Sequence, residues 1–182
     1  MKKLVSFVVL AAIALTAAFN ARAIEDPDAV GTIKVGARIG VDPGFGTNIS
    51  GDYVLIDSWW RGHFTVGGFA GFRLYSKTQD VGYGLVASHS QNNFSVMPRA
   101  TYGLNITDKF EVHAGAMTGI YFAHDKTKFG DDGLTETENR LALDYGTFIG
   151  CDYFFSGNLG VTAEAGYFAS MTYINAGIVL KF

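Results

Sequence analysis

Leu104-Asn105-Ile106-Thr107-Asp108-Lys109-Phe110-Glu111-Val112-His113-Ala114 and Tyr153-Phe154-Phe155-Ser156-Gly157-Asn158-Leu159-Gly160-Val161-Thr162-Ala163 follow one plan. In each, three small or polar residues separate apolar positions four apart, and alternating residues run away on both sides. That is the pattern of a β-hairpin with a tight turn. Trp60-Arg61-Gly62-His63-Phe64-Thr65-Val66 fits the same frame, which predicts Val54, Ile56 and Trp60 on an apolar face.

Working outward, the period of two that marks strands covers seven segments. They are Thr32 to Val41, Phe64 to Leu74, Phe94 to Ile106, Phe110 to Phe122, Leu143 to Phe155, Leu159 to Ala169 and Ile174 to Phe182. An eighth strand lies near Asp52 to Trp60, where Val54-Leu55-Ile56 leaves the phase open. The connections differ in kind. Three are tight turns, whereas Asp42 to Ser50, Ser76 to Asn92 and His124 to Arg140 are longer and polar, and Ser170 to Thr172 is brief. Tight turns at one end and long loops at the other predict an all-β fold: an eight-stranded antiparallel up-and-down transmembrane β-barrel.

Residue chemistry favours the apolar face as the outer one. None of the apolar-phase positions is charged, while the opposite face holds Lys34, Arg38, Arg73, Arg99, Glu111, His113, Asp144, Asp152, Glu164 and Lys181. A soluble barrel of the lipocalin kind would have the reverse arrangement. The polar face also carries many of the 23 glycines, as a narrow crowded lumen requires. Aromatic side chains share the apolar phase near the rims, where a membrane girdle belongs. Trp60, Phe64, Tyr102, Phe110, Tyr153, Phe155, Tyr167 and Phe182 are expected below, with Phe72 and Phe122 above.

Lys2 and Lys3, the apolar run Leu4 to Phe19, and Ala21-Arg22-Ala23 have the layout of a signal peptide. Residues 1–23 are therefore expected to be cleaved, leaving 24–182 as the barrel domain and placing it in the outer membrane. The 17 Asp+Glu outnumber the 14 Lys+Arg, and cleavage would remove three basic residues, so a basic nucleic-acid binder is ruled out as the leading reading. Cys151 is the lone cysteine, which excludes an internal disulfide.

The final strand, Ile174-Asn175-Ala176-Gly177-Ile178-Val179-Leu180-Lys181-Phe182, resembles that of the small Gram-negative outer-membrane β-barrel proteins. Tyr102-Gly103-Leu104, Asp152-Tyr153-Phe154-Phe155 and Ala163-Glu164-Ala165-Gly166-Tyr167 extend the resemblance. It implies that Ile178, Leu180 and Phe182 form a C-terminal signal for the barrel-assembly machinery. Outer-membrane lipid and lipopolysaccharide are the other partners it implies. Pro98 departs from the pattern because it lacks an N–H, and a bulge or irregular pairing is expected beside it.

Candidate chemistry is sparse. Arg38, Arg99 and Glu164 sit at similar heights in the inward phase and are expected to form an ion-pair core, since charges in so narrow a lumen must pair. Basic residues (Lys34, Arg38, Arg73, Arg99) come early and acidic ones (Glu111, Asp144, Asp152, Glu164) late, so the closed barrel would bring them together. Some outer-membrane barrels are lipid-modifying hydrolases or acyltransferases, and Ser88-His89-Ser90 with Asp80 raises that alternative. Adjacency in a loop does not supply a nucleophile and its base. A soluble periplasmic ligand-binding barrel is the other alternative. The histidines lack metal-ligand spacing, and Asp131-Asp132-Gly133 reads as a turn. No catalytic residue, metal or cofactor is expected, and recognition is left to the loops.

Overall fold

The computed structural model describes residues 29–59, 62–82, 85–129 and 135–182. Among them are eight strands: β1 (Ile33–Val41), β2 (Phe45–Trp59), β3 (Gly62–Gly82), β4 (Leu85–Thr107), β5 (Phe110–Phe129), β6 (Thr135–Phe154), β7 (Leu159–Tyr167) and β8 (Ile174–Lys181). Each pairs antiparallel with the next, and β1 pairs with β8 to close a barrel. At the seam Arg38 stands opposite Gly177, and Ile33 and Phe182 exchange backbone hydrogen bonds of 3.0 and 2.9 Å. Within the barrel, closure leaves no strand with an unpaired edge. Residues 1–23, Trp60 and Asp131-Asp132-Gly133 lie outside the described residues.

The internal repeat has a common local cause. Thr107 Oγ1 accepts from the backbone N–H of Phe110 at 3.0 Å, and Ser156 Oγ accepts from that of Leu159 at 3.2 Å. In both turns the hydroxyl satisfies a donor three residues on, as such side chains do.

The other end of the barrel departs from the expected loops. Only Asp42, Pro43 and Gly44 separate β1 from β2, with Asp42 and Gly44 at φ 58° and 80°, so β2 takes in most of the segment expected as a loop. Likewise Lys77 pairs with His89 and Lys128 with Thr135, so much of Ser76 to Asn92 and His124 to Arg140 is strand. Strands β3 to β6 have 20 to 23 residues, against eight or nine in β1, β7 and β8. They rise beyond the rim as a wall. Its residues are mostly polar at both odd and even positions, so the sequence shows no period of two there. Backbone pairing of β3 with β4, β4 with β5 and β5 with β6 still joins the N–H and C=O groups between them, and these ladders continue.

Within the barrel the alternation holds. Leu143, Tyr145 and Ile149 point outward at 66 to 80 % exposure, while Asp144, Phe148 and Asp152 in the opposite phase are buried. The register lines up Phe72, Phe94, Phe122 and Leu141 across four neighbouring strands as one outward apolar row. Val54 is a correction. It is fully buried and faces inward with Asp52, because a register shift between Val54 and Ile56 reverses the phase and leaves Ile56 outside. Tyr167 is another: it ends β7 at the loop rim and stacks on Tyr173 at 5.4 Å. A nine-residue strand starting from the tight turn places its last residue at the opposite end. Pro98 interrupts the β4–β5 ladder, which lacks pairs at Met97 and Pro98, yet the register is unchanged on either side.

Glycine follows the same division. A Cβ at inward Gly67 would collide with the Gly51 carbonyl oxygen and lie 2.8 Å from Asp52 Cα, whereas one at outward Gly68 meets nothing within 4 Å. Gly67→Ala should therefore destabilise the barrel by about 1 to 3 kcal/mol. Gly68→Ala should be neutral or stabilising, through the lower entropy of the unfolded chain. Urea unfolding of both variants in detergent checks this, and equal losses would contradict the assigned phase.

Candidate functional site

The inward side chains fill the barrel in layers. Nearest the tight turns, Lys34 from β1 donates to Glu111 Oε2 of β5 at 2.5 Å and lies 2.8 Å from His63 Nε2 of β3. His63 Nε2 is 3.2 Å from Glu111 Oε1. Lys181 of β8 stands 3.8 Å from Glu111 and 4.0 Å from the centre of the Phe154 ring.

Above this, Glu164 Oε1 of β7 receives Arg38 Nη2 at 2.8 Å and Arg99 Nη2 at 3.0 Å. Arg38 can reach across β8 because Gly177 lies between Arg38 and Thr162 in the register. His113 Nε2 is 3.3 Å from the same oxygen, and Arg99 Nε is 3.1 Å from Asp52 Oδ1. Arg38 also donates to Ser50 Oγ at 2.9 Å. The structure thus joins Arg38, Arg99 and Glu164 directly and adds Asp52. Between these two layers remains a cavity of about 20 Å³, room for about one water.

A third layer is apolar. Phe69, Met97, Met117, Phe148, Phe168 and Met171 form a buried cluster, with the Arg99 guanidinium 4.3 Å from the Phe148 ring centre. Two of its members belong to the β7–β8 connection, which turns into the barrel instead of standing off it. Asp144 latches that loop, accepting from Ser170 N at 2.8 Å, from Ala169 N at 3.2 Å and from the Ser170 hydroxyl. Asn93 donates to Ser170 O at 3.2 Å and Arg73 to Met171 O at 3.1 Å. Asp144 therefore holds backbone donors, where the charge pattern suggests a cationic partner.

Several of these residues have weak sequence signals. Asp52 is hidden by the phase reversal after Val54. His63 reads as a turn residue, but β3 begins at Gly62 and buries it. The inward loop has one cue in retrospect: Phe168 and Met171 are apolar in a connection otherwise made of small and polar residues.

The fold also tests the candidate chemistry. Ser88 and Ser90 alternate with His89 along β4, so they occupy the opposite face and cannot share a proton with it. His89 Nδ1 instead lies 3.1 Å from Thr127 Oγ1. Glu111, His113 and Asp152 bring possible ligand atoms within 4.8 Å of one another, which their spacing does not suggest. A metal ion does not fit there, because it would have to displace the Lys34 ammonium from Glu111 and stand beside Lys181. Ile178 pairs with Ala37 and Val161, and Leu180 with Val35 and Leu159. Both keep the outward phase with Phe182, although Leu180 is buried.

A closed eight-stranded ring with its charges inside and apolar side chains outside has the fold of the outer-membrane β-barrels. The chain is similar to a major outer membrane protein from Thermus thermophilus, at TM-score 0.61 and 14 % identity, over 83 % of this chain and 99 % of that one. It is also similar to the N-terminal β-barrel domain of Pseudomonas aeruginosa OprF, at TM-score 0.51 and 14 % identity, over 84 % of this chain and 98 % of that one. No protein-family model matches the chain, and no curated protein matches its sequence.

Removing one member of the central cluster would leave a charge buried without its partner, a loss on the order of 3 to 5 kcal/mol. Glu164→Ala should therefore cost far more than Glu136→Ala on the exposed wall. Arg38→Ala combined with Glu164→Ala should cost less than the sum of the single changes. A double-mutant cycle by urea unfolding measures this coupling, and strict additivity would show that the two charges act independently.

Proposed function

We propose that this chain is an integral outer-membrane β-barrel with a structural or surface-interaction role and no enzymatic activity, whose lumen is a plug and whose contacts are made from the loop end. One observation carries the membrane placement. The outward side chains are the large apolar ones, Leu141, Leu143, Tyr145 and Ile149 at 66 to 80 % exposure, while Lys34, Arg38, Arg99, Glu111 and Glu164 are buried inside. In water such a surface would drive association, whereas in a bilayer it is the low-energy face. Its partners on this reading are outer-membrane lipid, lipopolysaccharide included, and the barrel-assembly machinery, for which the alternating β8 is the recognised segment.

The layered interior supports the plug. An ion crossing it would have to displace the Arg38–Glu164–Arg99 cluster and then the Phe148–Met117–Met171 layer. The lipid-modifying alternative is disfavoured by the opposite facing of His89 and its flanking serines.

Membrane fractionation with heat-modifiable gel migration tests the placement, because a folded membrane barrel changes mobility on boiling. The protein is expected in the outer-membrane fraction with such a shift, and recovery as a soluble periplasmic protein would refute the proposal. Ala114→Arg on the outward face should cost about 2 to 4 kcal/mol if near the bilayer midplane. Planar-bilayer recordings should show no steady conductance, and a steady open level would replace the plug with a pore.

A further inference from the structure

On β5 and β6 beyond the barrel, the lysines and the carboxylates fall on opposite faces. The strand phase set inside the barrel continues upward without register shifts along β5 and β6. His124, Lys126 and Lys128 therefore fall on the outward face, in line with Phe122, and Asp125 falls on the inward one. Across the ladders, the three basic positions face Asn92, Ser90 and Ser88 on β4 and Asn139, Thr137 and Thr135 on β6. All six neighbours are uncharged. The nearby carboxylates Glu136 and Glu138 share the inward face with Asp125, as does Arg140. Among the described residues neither Lys126 nor Lys128 forms an ion pair, and both are exposed.

Unpaired lysines on an ordinary solvated face would need no explanation. These stand directly above the apolar row of Phe94, Phe122 and Leu141, which are 47 to 68 % exposed. Strand rise and barrel tilt put Lys126 about 10 Å beyond Phe122, at headgroup depth if that row marks the edge of the hydrocarbon. Lysine stems also reach back along apolar surface while the ammonium stays in the polar zone.

We propose that this outward face of β4, β5 and β6 binds an anionic glycolipid of the outer leaflet, with Lys126 and Lys128 on its phosphates and Phe94, Phe122 and Leu141 against its acyl chains. This rests on the membrane placement argued above. Charge complementarity selects a phosphorylated headgroup over a neutral one, and the adjoining apolar row selects a lipid over a soluble polyanion. Segregation of Asp125, Glu136 and Glu138 to the other face removes the like-charge repulsion that would oppose such a ligand.

The test uses the full chain folded in nonionic detergent, with binding of bis-phosphorylated lipid A and of its dephosphorylated form followed by native mass spectrometry. The phosphorylated lipid should bind at least about tenfold tighter, and this preference should weaken as salt rises. Lys126→Gln with Lys128→Gln should weaken its binding about 30-fold. Lys77→Gln, on the inward face, should leave it unchanged. Equal binding of the two lipids, or an unaltered double variant, would overturn the proposal, as would complete displacement by tripolyphosphate, which has no acyl chain. Heat-modifiable migration of each sample separates the two levels. A sample lacking the shift speaks against the membrane reading, whereas a folded barrel that ignores the phosphates defeats this inference alone.

Discussion

Eight strands close into a ring whose interior is only wide enough for side chains. That constraint governs the rest of the molecule. Each charge the lumen holds needs an opposite charge or polar partners within it, and Glu164 meets the demand by serving Arg38 and Arg99 through one oxygen. Space is the second demand, and glycine answers it. At Gly36 an added Cβ would lie 2.7 Å from the Arg38 guanidinium. Small residues on the inward face are thus the condition for large charged ones beside them.

The layering follows from how charges are solvated. Ion pairs isolated from water are costly unless their remaining donors and acceptors are also satisfied. Here Ser50 and Thr162 supply hydroxyls to Arg38, and the Phe148 ring covers Arg99. The apolar layer lies above the polar one. It is completed by Phe168 and Met171 from a connection that folds inward, so a short loop takes the place of a longer strand. Asp144 makes that fold-in tolerable by accepting backbone donors that would otherwise be buried without partners.

How far all this could be read in advance depends on whether a residue feels one environment or two. Between Phe110 and Phe122, one face meets apolar surroundings and the other a crowded polar interior, and the alternation is plain in the sequence. From His124 to Lys128 both faces are polar, so the same strand loses its signature and resembles a loop. Val54 shows a different limit: a single register shift reverses the phase, and it concealed Asp52, the carboxylate that pairs with Arg99. The Arg38–Arg99–Glu164 grouping was legible because parity and height fix where inward charges meet. The Asp144 latch was not, since its partners are backbone amides that any sequence could supply.

The uneven strand lengths give the molecule a front and a back. With β3 to β6 tall and β1, β7 and β8 short, the rim is cut obliquely, like the mouth of a quill. The inward-folded loop sits on the low side of that cut and the wall screens it from the other. The cap is therefore open on the side of β7, β8, β1 and β2 and bordered by the tall strands on the other. The barrel is round, but its rim is not.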